Sequence, residues 1–155
     1  MTQMLLISGI LFFTSFAFAL NPGESLKEFS LEDQYGVESK VDKSVRYLLF
    51  AKDKKASEFI EDAFKKVDKD YFSKKNLVYV ADVSGMPGFV LSWFARPKMK
   101  KYPFKVLIGE KPEVTKSLPT KKDQVSLIFL DNLKVLTIEY FENTKKLQSR
   151  VGALK

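Results

Sequence analysis

The order of hydrophobic and polar residues predicts strands that alternate with helices. Between residues 56 and 67, apolar side chains recur at spacings of three and four, which is the pattern of one buried helix face. Nearly continuous apolar runs precede and follow this helix, at residues 45–50 and 77–83. Runs of that kind are typical of strands covered on both faces. These segments predict a strand–helix–strand unit at the centre of the chain.

Charged residues complete the pattern of the central helix. Asp53 is placed to cap its first turn, because a carboxylate there can accept a hydrogen bond from a free backbone N–H group. Glu61 and Asp62 precede Lys65 and Lys66 by four residues. Residues at this spacing lie one turn apart, so we expect both pairs to form salt bridges on the solvent-exposed face.

Shorter elements are predicted around this unit. Residues 28–32 alternate as an extended strand does, and residues 33–36 form a turn. Residues 89–95 are predicted to be a helix that ends at Arg96-Pro97, because proline disfavours the helical conformation of the residue before it. Two further segments are a short strand at residues 104–108 and a polar loop at residues 109–124.

The C-terminal third predicts a β-hairpin followed by a helix. Apolar runs at residues 125–130 and 135–141 flank a turn, and the second run alternates, as a strand near the sheet edge does. Asn143 or Thr144 caps a final helix, which carries Leu147 and Val151 on one face. We therefore expect a single α/β domain with a mixed central sheet and helices on both faces.

The first residues have the features of a signal peptide. Residues 5–16 are largely apolar, no charged side chain precedes Glu24, and Ala17-Phe18-Ala19 offers the small residues that a signal peptidase requires. We predict cleavage between Ala19 and Leu20, which makes residues 1–19 the signal peptide and residues 20–155 the mature domain. The alternative is an uncleaved anchor, but the apolar block falls short of the ~20 residues that a membrane span needs. The mature protein is expected in the periplasm or secreted, with no integral membrane segment.

Composition excludes several kinds of chemistry. The chain of 155 residues has no Cys and no His. Disulfides, thiolate nucleophiles, imidazole metal ligands and a Ser–His relay are therefore all excluded. No cofactor is expected. The formal net charge of +7 lies entirely on the predicted mature domain, and an exported protein is not expected to bind nucleic acid.

A basic segment next to aromatic residues is the first candidate binding site. Its residues are Trp93, Arg96, Lys98, Lys100 and Lys101. Cationic groups interleaved with aromatic rings suit an acidic protein face, an anionic lipid headgroup or another polyanion. The alternative is a solvated lysine-rich surface, in which the aromatic side chains face the core.

Two carboxylates form a second candidate site. Asp82 and Asp131 come near the ends of two predicted central strands. We expect these two strands to be neighbours. If the two side chains converge, they could hold a hard cation through oxygen ligands, with Ser84 or Asn132 as a further ligand. The alternative is that each carboxylate caps a strand end or a turn.

The order of elements resembles the thioredoxin fold. Residues 29–36, Phe-Ser-Leu-Glu-Asp-Gln-Tyr-Gly, are similar to the Phe-x-Leu-x-Asp-x-x-Gly opening of redoxin and peroxiredoxin-type proteins. The Pro-Gly-Phe-Val stretch from Pro87, the Lys-Lys-Tyr-Pro stretch from Lys100 and the hairpin after Leu130-Asp131 resemble the periplasmic YtfJ-type proteins.

Because this chain departs from that resemblance at the catalytic positions, the thiol oxidoreductase activity of thioredoxins does not carry over. In a thioredoxin the catalytic Cys-x-x-Cys opens the helix after the first central strand, where this chain has Lys52 to Ser57. Ser57 is the only hydroxyl residue there, and no nearby base could activate it. The proline that clamps peptides in thioredoxins should fall near Gln124-Val125, and neither residue is proline.

The sequence therefore predicts an exported, non-redox thioredoxin-like protein. Its expected role is to bind an envelope protein or another anionic envelope component. The alternative is a small-ligand or metal-binding protein or enzyme that uses strand-end carboxylates, with a pocket between the helices that start near Asp53 and Gly88. The sequence does not indicate an oligomeric state.

Overall fold

The computed structural model describes residues 19–155. The greater part of the predicted signal peptide, including Ala17, lies outside the described residues. Ala19 is exposed, and the N–H group of Leu20 donates to the carbonyl of Ser117 at 2.9 Å. Among the described residues, no helix is both long enough and apolar enough to cross a membrane.

Strands and helices alternate along the described chain. The strands are β1 (Phe29–Glu32), β2 (Glu38–Val41), β3 (Tyr47–Ala51), β4 (Leu77–Asp82), β5 (Leu107–Gly109), β6 (Val125–Asp131) and β7 (Lys134–Phe141). The helices are α1 (Lys54–Phe64), α2 (Tyr71–Lys74), α3 (residues 88–99), α4 (Pro112–Thr115) and α5 (Thr144–Gly152).

Five of these strands form a mixed sheet in the order β5-β4-β3-β6-β7. β4 runs parallel to both of its neighbours, whereas β6 runs antiparallel to β3 and to β7. β1 and β2 form a separate antiparallel hairpin. The predicted strand–helix–strand unit, the C-terminal hairpin and the edge position of its second strand are confirmed.

Two hydrophobic layers cover the sheet. On one face, α1, α2 and α5 contribute Ile60, Phe64, Phe72 and Leu147 to the core. On the other face, the β1–β2 hairpin and the chain around α4 pack over the sheet, with fully buried Val41 among their side chains. Helices thus lie on both sides of a mixed sheet, as predicted, although the second layer is largely a hairpin.

The central helix begins as its sequence indicates, but its salt bridges differ. Asp53 Oδ1 accepts a hydrogen bond from the N–H group of Ala56 at 2.9 Å and caps α1. The predicted pairs of Glu61 with Lys65 and of Asp62 with Lys66 do not form. Lys65 instead bonds Asp62 at 3.2 Å, three residues away, because Glu61 is engaged by α3.

The prediction that Arg96-Pro97 ends a helix is wrong. α3 continues through Pro97 as one α-helical turn (Gly88–Val90), a wider π-helical turn (Leu91–Ala95) and a last α-helical turn (Arg96–Met99). A proline ring normally clashes with the carbonyl four residues earlier. The wide turn, in which Arg96 N–H bonds the Leu91 carbonyl, displaces the preceding carbonyls from that register.

Three short elements were not expected from the pattern. β2 and α2 were not predicted, and α4 forms inside the segment predicted to be a polar loop. The strand predicted at residues 104–108 forms only from Leu107 and extends to Gly109, one residue beyond the predicted end. Each of these elements has only three or four residues, which is too short to show a hydrophobic period.

Candidate functional site

The start of α1 occupies the position that carries the thiol pair in thioredoxins. Asp53 has both carboxylate oxygens in use here: Oδ1 caps the helix, and Oδ2 accepts from the N–H group of Asp123 at 2.9 Å. Asp123 has a left-handed backbone with φ of 59° and lies just before β6. Lys55 Nζ approaches Asp123 Oδ2 at 4.0 Å. Asp53 therefore joins the helix start to the loop that leads into β6.

Ser57 lies one turn further along α1, over a buried tyrosine. Burial raises the pKa of Tyr79 to about 12, and a hydrogen bond with Ser57 acts in the opposite direction. Tyr102 is also shifted: partial burial, followed by the charge of Glu61, raises the pKa of its hydroxyl. These hydroxyl groups are held in their protonated form. Ser57 therefore lies beside the hydroxyl group of a buried core tyrosine.

The redoxin-like segment at residues 29–36 also has a structural explanation. Asp33 is almost fully buried, and its Oδ1 accepts from the N–H groups of Tyr35 and Val37 at 2.8 and 3.0 Å. Gly36 adopts a φ of +79°, which a residue with a Cβ rarely takes. The aspartate and the glycine of this motif thus form the turn between β1 and β2.

Gln34, in the same turn, fixes the chain that follows α3. It is 1% exposed, its Nε2 donates to the Phe104 carbonyl at 2.8 Å, and its Oε1 accepts from the Val106 N–H group at 2.9 Å. A buried amide that satisfies a backbone donor and a backbone acceptor at once holds both segments in one register. The β1–β2 turn therefore sets where the chain leaves α3.

α3 presents aromatic side chains to solvent, and not to the core. The exposed fractions are 60% for Phe89, 73% for Trp93 and 64% for Phe94. Phe89 and Trp93 contact each other edge to face, with ring centroids 6.5 Å apart. The interpretation that these rings face the sheet is wrong: the buried side of α3 carries Leu91 and Met99 instead. We call Phe89, Trp93 and Phe94 the aromatic surface.

Two of the four basic residues beside the aromatic surface fasten α3 to the domain. Arg96 Nη1 donates to the Asp33 carbonyl at 3.1 Å, and its Nη2 pairs with Glu110. Lys98 Nζ lies 2.7 Å from Glu61 Oε2 on α1. Arg96 thus fastens α3 to the β1–β2 turn and to the residue after β5, and Lys98 fastens it to α1.

The other two basic residues are not used within the described part of the domain. Lys100 and Lys101 are exposed and form no salt bridge with any residue in the range 19–155. The Lys100 carbonyl accepts a hydrogen bond from the Tyr35 hydroxyl at 3.1 Å, which fixes the backbone at this point. The structure thus divides the predicted basic site into two anchoring cations and two free ones.

Asp82 and Asp131 do not form a shared site. β3 lies between β4 and β6, and it runs parallel to β4 but antiparallel to β6. Asp82 and Asp131, each at the carboxyl end of its strand, therefore lie at opposite ends of the strands of the sheet. Asp82 accepts from the Ser84 N–H group at 2.9 Å and from the Thr115 hydroxyl at 2.8 Å. Asp131 accepts from the side chain of Asn132 at 3.1 Å. Asp82 therefore stabilises the turn after β4 and joins it to α4, whereas Asp131 bonds only its neighbour in the hairpin turn. The prediction that their two strands are neighbours is wrong.

The described residues also contain no other cluster with the ligands for a metal ion. Within residues 19–155, no group of three or more His, Cys, Asp or Glu side chains is placed to hold one.

The aromatic surface could have been found from spacing alone, although its orientation could not. Leu91, Ala95 and Met99 recur every fourth residue, as do Phe89 and Trp93. One helix can turn only one of these stripes toward the sheet. Aromatic side chains bury the largest apolar area, so the sequence favours the interpretation that they face the core. In the structure, the bonds of Arg96 and Lys98 to the domain leave the aromatic side of α3 toward solvent.

Comparison with known proteins gives a clear result for the fold alone. No protein-family model and no curated protein matches this chain. Among solved structures, a peroxidoxin from Mycobacterium tuberculosis superposes with a TM-score of 0.56 at 14% identity, over 86% of this chain and 97% of the other. A putative thioredoxin from Neisseria meningitidis gives 0.56 at 16% identity, over 86% and 91%. A thioredoxin domain of a thiol-disulfide oxidoreductase from Bacteroides vulgatus gives 0.52 at 14% identity, over 86% and 99%.

These similarities agree with the predicted architecture. The chain has a thioredoxin-like fold, formed by one α/β domain without cysteine. The narrower resemblance to YtfJ-type proteins remains a prediction.

Proposed function

We propose that this protein is a non-redox binding module of the cell envelope, which holds a protein partner on the aromatic surface of α3. The single observation that supports this most strongly is the exposure of Phe89, Trp93 and Phe94 on one short helix. Large aromatic side chains are enriched at the energetic centres of protein interfaces, where they bury much area at low entropic cost. An exposed cluster of three is therefore unusual unless a partner covers it.

The attachment of α3 supports recognition by a preformed surface. Arg96, Lys98 and Gln34 hold the helix and its exit through bonds to the β1–β2 turn, to Glu61 and to Glu110. A rigid surface loses little conformational entropy on binding, so more of its contact energy appears as affinity. The exposed Lys100 and Lys101 beside it favour a partner with acidic residues at the rim of an apolar patch.

The charge distribution favours a protein over a lipid surface. Electrostatic binding to anionic lipids typically needs clusters of about four to eight cationic residues. Of the four in the basic segment, Arg96 and Lys98 are neutralised within the domain by Glu110 and Glu61. Only two free lysines remain, which is adequate for steering a protein partner. The alternative of a metal-dependent enzyme at Asp82 and Asp131 loses its structural basis, since these residues lie apart.

Export to the envelope rests on residues 1–19. It predicts a mature chain that begins at Leu20 and is recovered outside the cytoplasm. N-terminal sequencing of protein released from the periplasm or the medium of the native host tests this. A chain that starts at Met1 and stays with the cytoplasm would contradict it.

Site-directed photocrosslinking in the native host tests the binding proposal. A photoreactive amino acid replaces Phe94 inside the aromatic surface or, as a control, Leu136, which is 55% exposed on β7. We expect one dominant protein adduct from position 94 and none in common from position 136. The adduct should disappear with Trp93→Ala and weaken with Lys100→Glu.

Three results would overturn the proposal. The first is that position 94 gives the same adducts as position 136. The second is that the adduct from position 94 persists unchanged in the Trp93→Ala variant. The third is that position 94 forms an adduct with lipid only. The last result would identify α3 as a membrane contact.

A further inference from the structure

A cavity of about 590 Å³ opens at the amino end of β4. β2 contributes Ser39 and Lys40 to its lining, α2 contributes Phe72 and Ser73, and the first residues of β4 form its floor. A volume of this size is typical of sites that take a small ligand or a short peptide segment. None of its lining residues belongs to the aromatic surface, so the cavity is a separate feature of the molecule.

The cavity lies along an incompletely paired strand. β3 pairs with β4 from Leu77 onward, whereas β5 pairs only with Val80–Asp82. Residues 77–79 therefore have a strand neighbour on one side only. Leu107, the first residue of β5, also lines the cavity. An extended segment in the cavity would lie beside residues 77–79, in the position that β5 would take if it began three residues earlier.

The residues that precede β5 do not occupy this position beside β4. Before β5, the N–H group of Val106 bonds to Oε1 of buried Gln34 at 2.9 Å, which directs the backbone toward the β1–β2 turn. A strand edge with unpaired backbone groups is a template for an incoming strand. Native proteins either block such edges or use them for recognition by strand addition.

The charge around the cavity selects the kind of segment that fits. Its lining includes Lys40, Lys69 and Lys105 and contains no Asp or Glu. Lys40 pairs with Glu28 at 2.6 Å, and Lys105 is 3.9 Å from Asp33, while Lys69 has no ion-pair partner among the described residues. Ser39, Ser44 and Ser73 add hydroxyl groups to the lining. The lining is therefore polar around an apolar floor, and Lys69 supplies its one cation that the described residues do not pair.

We propose that this cavity binds an extended acidic peptide segment of another protein, which adds as a short strand beside Leu77–Tyr79. Three residues of open edge span about 10 Å at roughly 3.3 Å per residue, so the paired part of the segment is short. Alternating side chains of such a strand point to opposite sides. One set would face Phe72, on the α2 side of the sheet, and the other would face Val78, on the β2 side.

The other candidate occupant is the N-terminal segment of this chain. Residues 1–18 contain no acidic residue. They therefore offer no opposite charge to Lys69, the lining lysine that has no ion-pair partner among the described residues, and charge favours a separate acidic polypeptide.

Fluorescence anisotropy with defined peptides tests the proposal. The probe is a labelled eight-residue peptide that alternates glutamate and valine, and a version with lysine in place of glutamate controls for charge. A third peptide keeps the glutamates but carries N-methyl groups on alternate backbone amides, so that it cannot pair as a strand. We expect binding of the first peptide only, with at least about tenfold weaker binding of the N-methylated form, because backbone hydrogen bonds supply the affinity in strand addition.

Variants and amide exchange locate the site. Lys69→Gln combined with Lys105→Gln should weaken binding about three- to tenfold, in line with two exposed charge contacts. Lys122→Gln, an exposed lysine outside the cavity lining, should leave it unchanged. Hydrogen exchange at the amides of residues 77–79 should slow when the peptide is bound.

Several outcomes would refute strand addition here. Equal binding of the N-methylated peptide would mean that charge alone attracts it, as it would any polyanion. Unchanged affinity in the Lys69 and Lys105 variant, or no binding at all, would remove the cavity as the site. The Trp93→Ala variant should bind the peptide as the wild-type protein does. Loss of peptide binding in that variant would assign the peptide to the aromatic surface and would refute the cavity as its site, without contradicting the function proposed for the aromatic surface.

Discussion

The start of α1 and the outer face of α3 occupy neighbouring positions but use their side chains in opposite ways. Both helices follow the carboxyl ends of adjacent parallel strands, β3 and β4. At the start of α1, Asp53 directs both carboxylate oxygens at backbone N–H groups of the domain itself. On α3, Trp93 and its neighbours direct their largest apolar surfaces at solvent.

This difference separates a region that is closed by bonds within the domain from a region that faces solvent. The helix start that carries catalytic thiols in thioredoxins is here a structural junction, closed by a cap and by a bond to the chain before β6. The adjacent helix has polar anchors, Arg96 and Lys98, that bind the domain and leave the aromatic rings outward. One region thus contributes to stability, and the other is the surface to which we assign recognition as a proposal.

The largest effect is expected from Gln34→Ala, which removes the anchor behind α3. The substitution leaves the Phe104 carbonyl and the Val106 N–H group buried without their side-chain partner. Each unsatisfied group costs roughly 1–3 kcal/mol, so the free energy of unfolding should fall by about 3 kcal/mol. Urea denaturation measures this.

Tyr35→Phe is the matched control for that prediction. Tyr35 is exposed, and its hydroxyl donates one hydrogen bond, to the Lys100 carbonyl. Its loss should lower the free energy of unfolding by less than about 1 kcal/mol, since solvent can replace the bond. Equal effects of the two substitutions would show that the buried amide does not hold the exit of α3.

The next effect is a loss of stability at alkaline pH. Burial raises the pKa of Tyr79 to about 12, above its ordinary value of 10.0 in the unfolded chain. Between these pH values the unfolded chain releases the proton while the folded protein keeps it. The free energy of unfolding therefore falls across this window, by on the order of 2–3 kcal/mol for a shift of this size.

Tyr79→Phe isolates the contribution of Tyr79 from that of the many lysines. Its free energy of unfolding should decline less steeply than that of the wild-type protein from pH 10 to pH 12. Urea denaturation at several pH values gives both curves. Parallel curves would show that Tyr79 titrates alike in the folded and unfolded chains, contrary to its burial beside Ser57.

Asp53→Ala should lower stability by a smaller amount. It removes the cap of α1 and the bond to the Asp123 N–H group. A lost cap typically costs about 1 kcal/mol and a lost charged hydrogen bond a similar amount, which predicts about 2 kcal/mol in total. Asp53→Asn, which keeps an acceptor for the cap, should recover about half of it. No recovery by Asn would indicate that the negative charge, and not the hydrogen bond, is what α1 requires.

Local sequence patterns predicted the elements whose own residues show which side is buried. β3, α1, β4 and the hairpin of β6 and β7 were found because each has an apolar run or period long enough to recognise. β2 was missed because Val41 is its only buried residue, and it is held by backbone pairing with β1. Strand order is not contained in such patterns, which is why Asp82 and Asp131 were expected to be neighbours. The direction of the aromatic surface likewise depends on Glu61, Glu110 and Asp33, which lie far from α3 in sequence.

The smallest effect on stability, Trp93→Ala, is the sharpest test of the comparison. Trp93 is 73% exposed, so its truncation removes little buried area and should change the free energy of unfolding by no more than about 0.5 kcal/mol. Leu91→Ala, on the same helix but 7% exposed, should cost about 2–4 kcal/mol through the cavity that it leaves. Urea denaturation of both variants, together with the crosslinking readout from position 94, distinguishes the two sides of α3. If the aromatic surface serves recognition, Trp93→Ala abolishes the adduct in a protein of unchanged stability; a destabilisation equal to that of Leu91→Ala would instead place Trp93 in the core and remove the basis for the proposed function.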